Sequence, residues 1–157
     1  MVIIMDIEYL SDNIFYARKV AEWIYGEFIK DIRHGLSFDQ ILLSVKQCYK
    51  TELPVRLIAK VDGKCVGTVS VVHNDLVYRN YTPWLAALYV DKVYRNNKIG
   101  ERLVERAKDV ANDFGFDEIY LRTEHTGNYY KRLGWQYVES CVDEFKLETE
   151  IYRYPLR

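Results

Sequence analysis

Apolar positions along the chain fall into two periods, and these divide it into strands and helices. Val2 to Ile7 reads as a first strand. Ser11-Asp12-Asn13 forms a helix-start cluster, after which Ile14, Ala17, Ala21, Ile24 and Phe28 recur at helical spacing. A second helix opens at Ser37-Phe38-Asp39-Gln40, in the form of a capping box, and Ile41, Val45, Cys48 and Tyr49 continue its apolar face. Val55 to Val61 and Lys64 to Val72 are β-branched runs around Asp62-Gly63, a strong hairpin signal. His73 to Pro83 has no clean period and reads as a loop long enough to be functional. Trp84 to Val90 is an almost continuous apolar run, the pattern of a central strand buried on both faces.

Ile99, Leu103, Ala107, Val110 and Phe114 mark a long amphipathic helix, with Glu101, Arg102, Glu105, Arg106, Lys108 and Asp109 on its polar face and Gly115 as its stop. Glu118 to Thr123 is a further strand. A short helix from Gly127 to Leu133 ends at Gly134, and closing strands lie near Trp135 to Ser140 and Phe145 to Tyr152. The order β-α-α-β-β-β-α-β-α-β-β predicts a mixed α/β (α+β) sheet, with antiparallel hairpins first, then a parallel strand–helix–strand crossover, and helices on both faces.

Length and composition narrow the function. The 157 residues suit a single domain spanning 1–157, and with 49% apolar and 29% charged residues it can bury a core without metal or disulfides. The net charge of −1 argues against a protein that mainly grips nucleic-acid backbone. No apolar run approaches the ~20 residues of a membrane span, and Val2-Ile3-Ile4-Met5 lacks the basic flank of a signal peptide. Cys48, Cys65 and Cys141 make neither a zinc pattern nor a redox pair, so a reduced, cytoplasmic setting is expected.

Chemistry concentrates in Trp84 to Gly100. A strand runs out, a short polar loop crosses, and a helix begins near Lys98. The first N–H groups of a helix have no intrahelical partner and lie at the positive end of its dipole, which makes an anion site. Gly100 permits close approach, and Arg95 and Lys98 add charge. The same residues also suit a plain helix start with surface cations. The segment is neither a dinucleotide fingerprint, lacking Gly-x-Gly-x-x-Gly, nor a P-loop, lacking Gly-Lys-Ser/Thr.

Two signatures here resemble those of the GNAT superfamily of acetyl-CoA-dependent N-acetyltransferases. One is Val90-Asp-Lys-Val-Tyr94-Arg95-Asn-Asn-Lys98-Ile99-Gly100, similar to the family's Gln/Arg-x-x-Gly-x-Gly/Ala motif, with Lys98 where that motif has its first Gly. The other is Tyr130-Lys-Arg-Leu-Gly134-Trp135, a tyrosine four residues before the Gly-aromatic pair. The resemblance implies a mostly antiparallel central sheet with one splayed parallel pair. It implies acetyl-CoA as co-substrate, its pyrophosphate on Arg95, Asn96, Asn97, Lys98, Ile99 and Gly100, and its pantetheine arm along Leu88, Tyr89 and Val90. It places Tyr130 beside the thioester sulfur, with no metal. The partner implied is a primary amine of a small molecule or peptide, with no nucleic acid and no membrane, and a homodimer is compatible with it.

Trp84 to Val90 holds no carboxylate, although many family members place a general base there. Candidate bases are Glu124, His125, His73, Asp75 and Glu27, each equally readable as a solvated surface side chain. Tyr129 is the rival of Tyr130. The alternatives to an enzyme are a non-catalytic acyl-CoA sensor or interaction module on the same fold, and a nucleotide-binding α/β domain, which the missing glycine fingerprints oppose.

Overall fold

The β-branched runs around Asp62-Gly63 pair as an antiparallel hairpin of β2 (Val55–Val61) and β3 (Lys64–Val72). Asp62 and Gly63 both take positive φ, 52° and 76°, the turn geometry that matches strand twist. The structure, a computed structural model, describes residues 4–157. On this hairpin is built one seven-stranded sheet. β1 (Asp6–Tyr9) pairs antiparallel with β2, and β4 (Trp84–Val90) antiparallel with β3. β5 (Glu118–Thr123) runs parallel to β4, and β7 (Glu148–Pro155) and β6 (Gln136–Val142) complete the order β1-β2-β3-β4-β5-β7-β6. The expected mixed sheet with one parallel pair is therefore the observed one.

Side-chain alternation along β2 explains the two layers of helix. Leu57 and Ala59 face one way and pack with Leu103 and Ala107 of α3 (Ile99–Asp113). Ile58 faces the other way, against α1 (Ala17–Ile24) and α2 (Phe38–Lys46). A smaller cluster of Leu76, Trp84, Tyr120 and Ile151 lies under the 73–83 loop. The Ser37–Gln40 capping box forms in both directions.

Four local expectations are corrected. The first strand begins at Asp6, and Val2 and Ile3 lie outside the described residues. The first helical stripe does not start at Ile14, which is 46% exposed. Leu10–Tyr16 is a tighter 3₁₀ segment broken at Asn13, whose buried amide donates to the Tyr9 carbonyl and to Glu8 instead of continuing the helix. Lys108 leaves the polar face of α3: its ammonium pairs with Glu105 at 2.7 Å and sits 3.6 Å from the Tyr154 ring centre. The last two strands start later than the apolar pattern suggests. Trp135 closes α4 (Gly127–Arg132) by donating its N–H to the Tyr130 carbonyl, and Asp143 gathers the N–H groups of Phe145 and Leu147 into a turn.

Candidate active site

β4 and β5 share one registered parallel pair, Trp84 with Tyr120, next to a hydrogen bond from the Tyr120 N–H to the Pro83 carbonyl. Beyond it they separate. The local cause is a bulge in β4: Ala87 takes φ 57°, and the pairing with β3 shifts between Thr68 and Ser70. From Ala86 to Val90 the strand is only half-buried, which corrects the expectation of burial on both faces. Its β5-side edge opens into a cleft of about 1360 Å³, lined by Leu88, Tyr89 and Val90 among others.

The loop after β4 leads onto the start of α3. Asn96 and Lys98 both take left-handed backbone, φ 68° and 63°. Lys98 thus holds the conformation for which glycine is favoured at this motif position. A left-handed residue followed by helix turns successive N–H groups to one side, as an anion nest. No side chain caps α3, so the N–H groups of its first turn point free along the dipole. Gly100 lies beside this opening, where a Cβ would meet the Tyr129 hydroxyl at 3.4 Å and Val90 Cγ2 at 3.7 Å. The Arg95 Nε donates to the Val90 carbonyl at 2.9 Å, its guanidinium lies over the Tyr89 ring, and that ring stacks on Trp23 of α1.

Of the six loop residues expected at the cradle, Arg95, Asn96, Lys98, Ile99 and Gly100 line the cleft. Asn97 does not share that lining. Its amide donates to the carbonyls of Tyr94 and Arg95 and braces the loop. Ile99 is also buried, anchoring the helix start in the core.

Tyr130 lies on α4, 8% exposed and lining the same cleft, edge-on to Tyr129 and Trp135. Burial first, and Tyr129 second, push its phenol pKa well up, so it remains a proton donor across the neutral range. Tyr129 is half-buried, its phenol raised by burial and by Glu101.

The candidate bases separate by their partners. Glu124 is committed on both oxygens, to Arg33 at 3.0 Å and to the Thr149 hydroxyl at 3.2 Å. His73 is exposed and does not line the cleft, whereas Asp75, His125 and Glu27 do. Asp75 is set deep in the cleft with its side chain 35% open, and its ion partner is Arg122 at 3.5 Å. Burial raises its carboxyl to about 6, against the opposing pull of Arg122 and Arg33. A carboxylate of that basicity, reachable from the cleft, suits proton abstraction near neutral pH.

Residues that sequence reasoning did not single out complete the cleft wall. Arg33 and Arg122 share the buried Asp143, at 3.5 and 3.2 Å, and so link Glu124 to Asp75 in one chain of charges. Arg56 lines the cleft as well. The signal for it was present as a lone arginine in the apolar run Val55-Arg-Leu-Ile-Ala. Among the described residues, no group of three or more His, Cys, Asp or Glu is placed to hold a metal ion, and no helix is long and apolar enough to cross a membrane.

A parallel pair opened over a free helix start, inside an otherwise antiparallel sheet, is the architecture of N-acetyltransferases. The chain belongs to the acetyltransferase (GNAT) family, whose model matches residues 18–135. It is 26% identical over 152 residues to N-alpha-acetyltransferase 30 of Xenopus laevis, covering 88% of this chain and 55% of that protein. The chain thus spans about half the length of that relative. Its fold matches an aminoglycoside 6'-N-acetyltransferase complexed with coenzyme A, at TM-score 0.75 and 16% identity, over 98% of this chain and 97% of that one. It also matches the aminoglycoside 6'-N-acetyltransferase from Enterococcus faecium, at TM-score 0.73 and 16% identity, over 97% of each chain.

Proposed function

We propose that this chain transfers the acetyl group of acetyl-CoA to a primary amine of a small molecule or peptide. The observation that carries the reading is the opening of β4 from β5 directly above the uncapped start of α3. The pyrophosphate of acetyl-CoA rests on the N–H groups around Asn96 to Gly100, beside Arg95 and Lys98. The pantetheine arm lies along the unpaired edge of Leu88, Tyr89 and Val90. Membership of the family and the coenzyme A complex of a structural relative support this assignment. Three free cysteines agree with work in the cytoplasm.

The acceptor arrives as an ammonium. For a lysine-like amine of pKa ~10.4 the neutral fraction at pH 7 is ~10⁻³ to 10⁻⁴, which costs roughly 4–5 kcal/mol. Asp75 takes that proton. The freed nitrogen lone pair attacks the thioester carbon, and the C–S bond breaks as Tyr130 gives its proton to the departing thiolate. The second proton, shed by the nitrogen as it becomes an amide, restores the Tyr130 phenol, while the proton on Asp75 passes to water. Most of the acceleration comes from holding amine and thioester together in the cleft.

The test is thiol release from acetyl-CoA across polyamines, aminoglycosides, amino acids and peptides. Release with any amine class upholds the reading. Tight coenzyme A binding with no release from any of them replaces the enzyme by an acyl-CoA sensor.

A further inference from the structure

Arg56 is a charge set into an apolar strand. It is 9% exposed, on the face of β2 that meets α2, and it lines the cleft. Its Nη1 donates to the Ser70 hydroxyl at 2.9 Å and its Nη2 to the Ser44 carbonyl at 3.2 Å. Its Nε has no partner among the described residues. The Nε of Arg33 is likewise unpartnered, and what sets the other two arginines of the wall apart is their ion partners. Arg33 pairs with Glu124 and Asp143, and Arg122 with Asp75 and Asp143, whereas no carboxylate lies within ion-pair distance of Arg56 among the described residues. Burial accordingly lowers its pKa, opposed first by Cys48 and then by Asp75. A buried guanidinium with three unspent N–H groups is a costly element unless an anion meets it.

The position separates this charge from the cofactor cradle. Arg56 stands opposite Ser70, and Ser70 opposite Ala86, four residues back along β4 from Val90. At about 3.3 Å per residue that is roughly 13 Å from the strand end that leads to the cradle. The anion it awaits therefore comes from the acceptor side of the cleft.

We propose that Arg56 anchors a carboxylate of the acceptor, so that the acceptor is an amine which also carries a carboxylate, an amino acid in preference to a polyamine or an aminoglycoside. This rests on the transferase reading above. One guanidinium whose Nε–H and one N–H on each Nη are unpaired matches the single charge and planar fork of a carboxylate. A phosphate monoester would call for a second uncommitted cation, and Arg33 and Arg122 are both spent on carboxylates. Asp75, in the same cleft, meets the ammonium end.

The test compares acceptors in matched sets: an amino acid, its amide and its decarboxylated amine, such as leucine, leucinamide and isoamylamine, or lysine, lysinamide and cadaverine. For the wild type, KM is expected to be about 10- to 100-fold lower for the acid than for its amide. In Arg56→Gln that preference collapses to within about threefold, and Arg56→Lys falls between. A wild type indifferent to the carboxylate overturns the proposal, as does a preference that survives Arg56→Gln, which makes Arg56 only a tie between α2 and the sheet. If Arg56→Gln does not fold, the wild-type comparison decides alone. If no amine of any kind releases thiol, it is the transferase reading that fails. Calorimetric titration of the same acids and amides into the wild type then decides the anchor, upheld by binding of acids over amides and overturned by equal binding or none.

Discussion

The Tyr129 hydroxyl lies 3.4 Å from the point where a Cβ on Gly100 would stand, so the floor of the proposed cradle is one methyl group deep. That distance is ordinary van der Waals contact, and Gly100→Ala should bind coenzyme A nearly as the wild type does. Gly100→Glu adds bulk and a negative charge at the positive end of α3 and should weaken binding at least about tenfold, ~1.4 kcal/mol. Calorimetry checks both, with circular dichroism as the folding control. Unchanged binding by a folded Gly100→Glu would move the cradle elsewhere.

Lys98 offers a second reading of the same place, because its left-handed φ of 63° works against its side chain while its ammonium adds charge to the opening. Lys98→Gly should raise stability slightly, by up to ~1 kcal/mol, as relieved strain outweighs the freedom glycine gains in the unfolded chain. Its affinity for coenzyme A should fall by a few-fold, with a shallower dependence on salt, since one exposed cation is lost. Urea titration and calorimetry at two ionic strengths measure the two effects separately.

Tyr130→Phe retains the ring that packs edge-on to Trp135, so its melting temperature should change little. Turnover should fall by roughly 10²-fold, the low end for general acid catalysis, because a thiolate is a modest base. Acetyl-CoA binding should change much less than kcat. The comparison variant is Tyr129→Phe, and a larger loss of kcat there than in Tyr130→Phe would reassign the proton donor.

Asp75 predicts a pH limb. Its carboxyl is raised to about 6, mainly by burial, and only the deprotonated form accepts a proton from the amine. The value of kcat/KM should therefore rise as pH increases through about 6. Asp75→Asn should remove that limb and lower the rate by ~10²–10⁴-fold. Stability runs the other way. A carboxyl raised in the folded state favours the native form when protonated, so its contribution grows as pH falls from above 6 toward the unfolded value. Thermal melts of the wild type against Asp75→Asn between pH 7 and 5 would display that opposite slope.

Gly127 opens α4 where a Cβ would come within 2.3 Å of the Tyr152 hydroxyl and 2.6 Å of the Glu150 carboxylate. Those two groups are hydrogen-bonded to each other at 3.0 Å. Gly127→Ala must push this pair aside and should cost about 1–3 kcal/mol, as overpacking does. A melting curve identical to the wild type would show that the pair yields freely.

Local physics made much of this chain legible in its residues. The Asp62-Gly63 hairpin, the capping box at Ser37, the long stripe of α3 and the stop at Gly115 are each decided within a few neighbours, by turn geometry, hydrogen-bond capping and helical period. The left-handed turn into the start of α3, where the cradle is proposed, and the short helix that carries the tyrosine before Gly134-Trp135 were visible for the same reason, because a backbone turn and a helix end are built from contiguous residues. What the tertiary structure alone decided are relations between distant segments. The opening between β4 and β5 depends on a bulge at Ala87 that an apolar run does not announce. Only the fold joins Arg33, Asp75, Arg122, Glu124 and Asp143 into one chain of charges and leaves Arg56 outside it. The reason is physical: whether a charge is spent or waiting depends on what stands within about 4 Å of it and how far water is excluded, and neither follows from the order of residues along the chain.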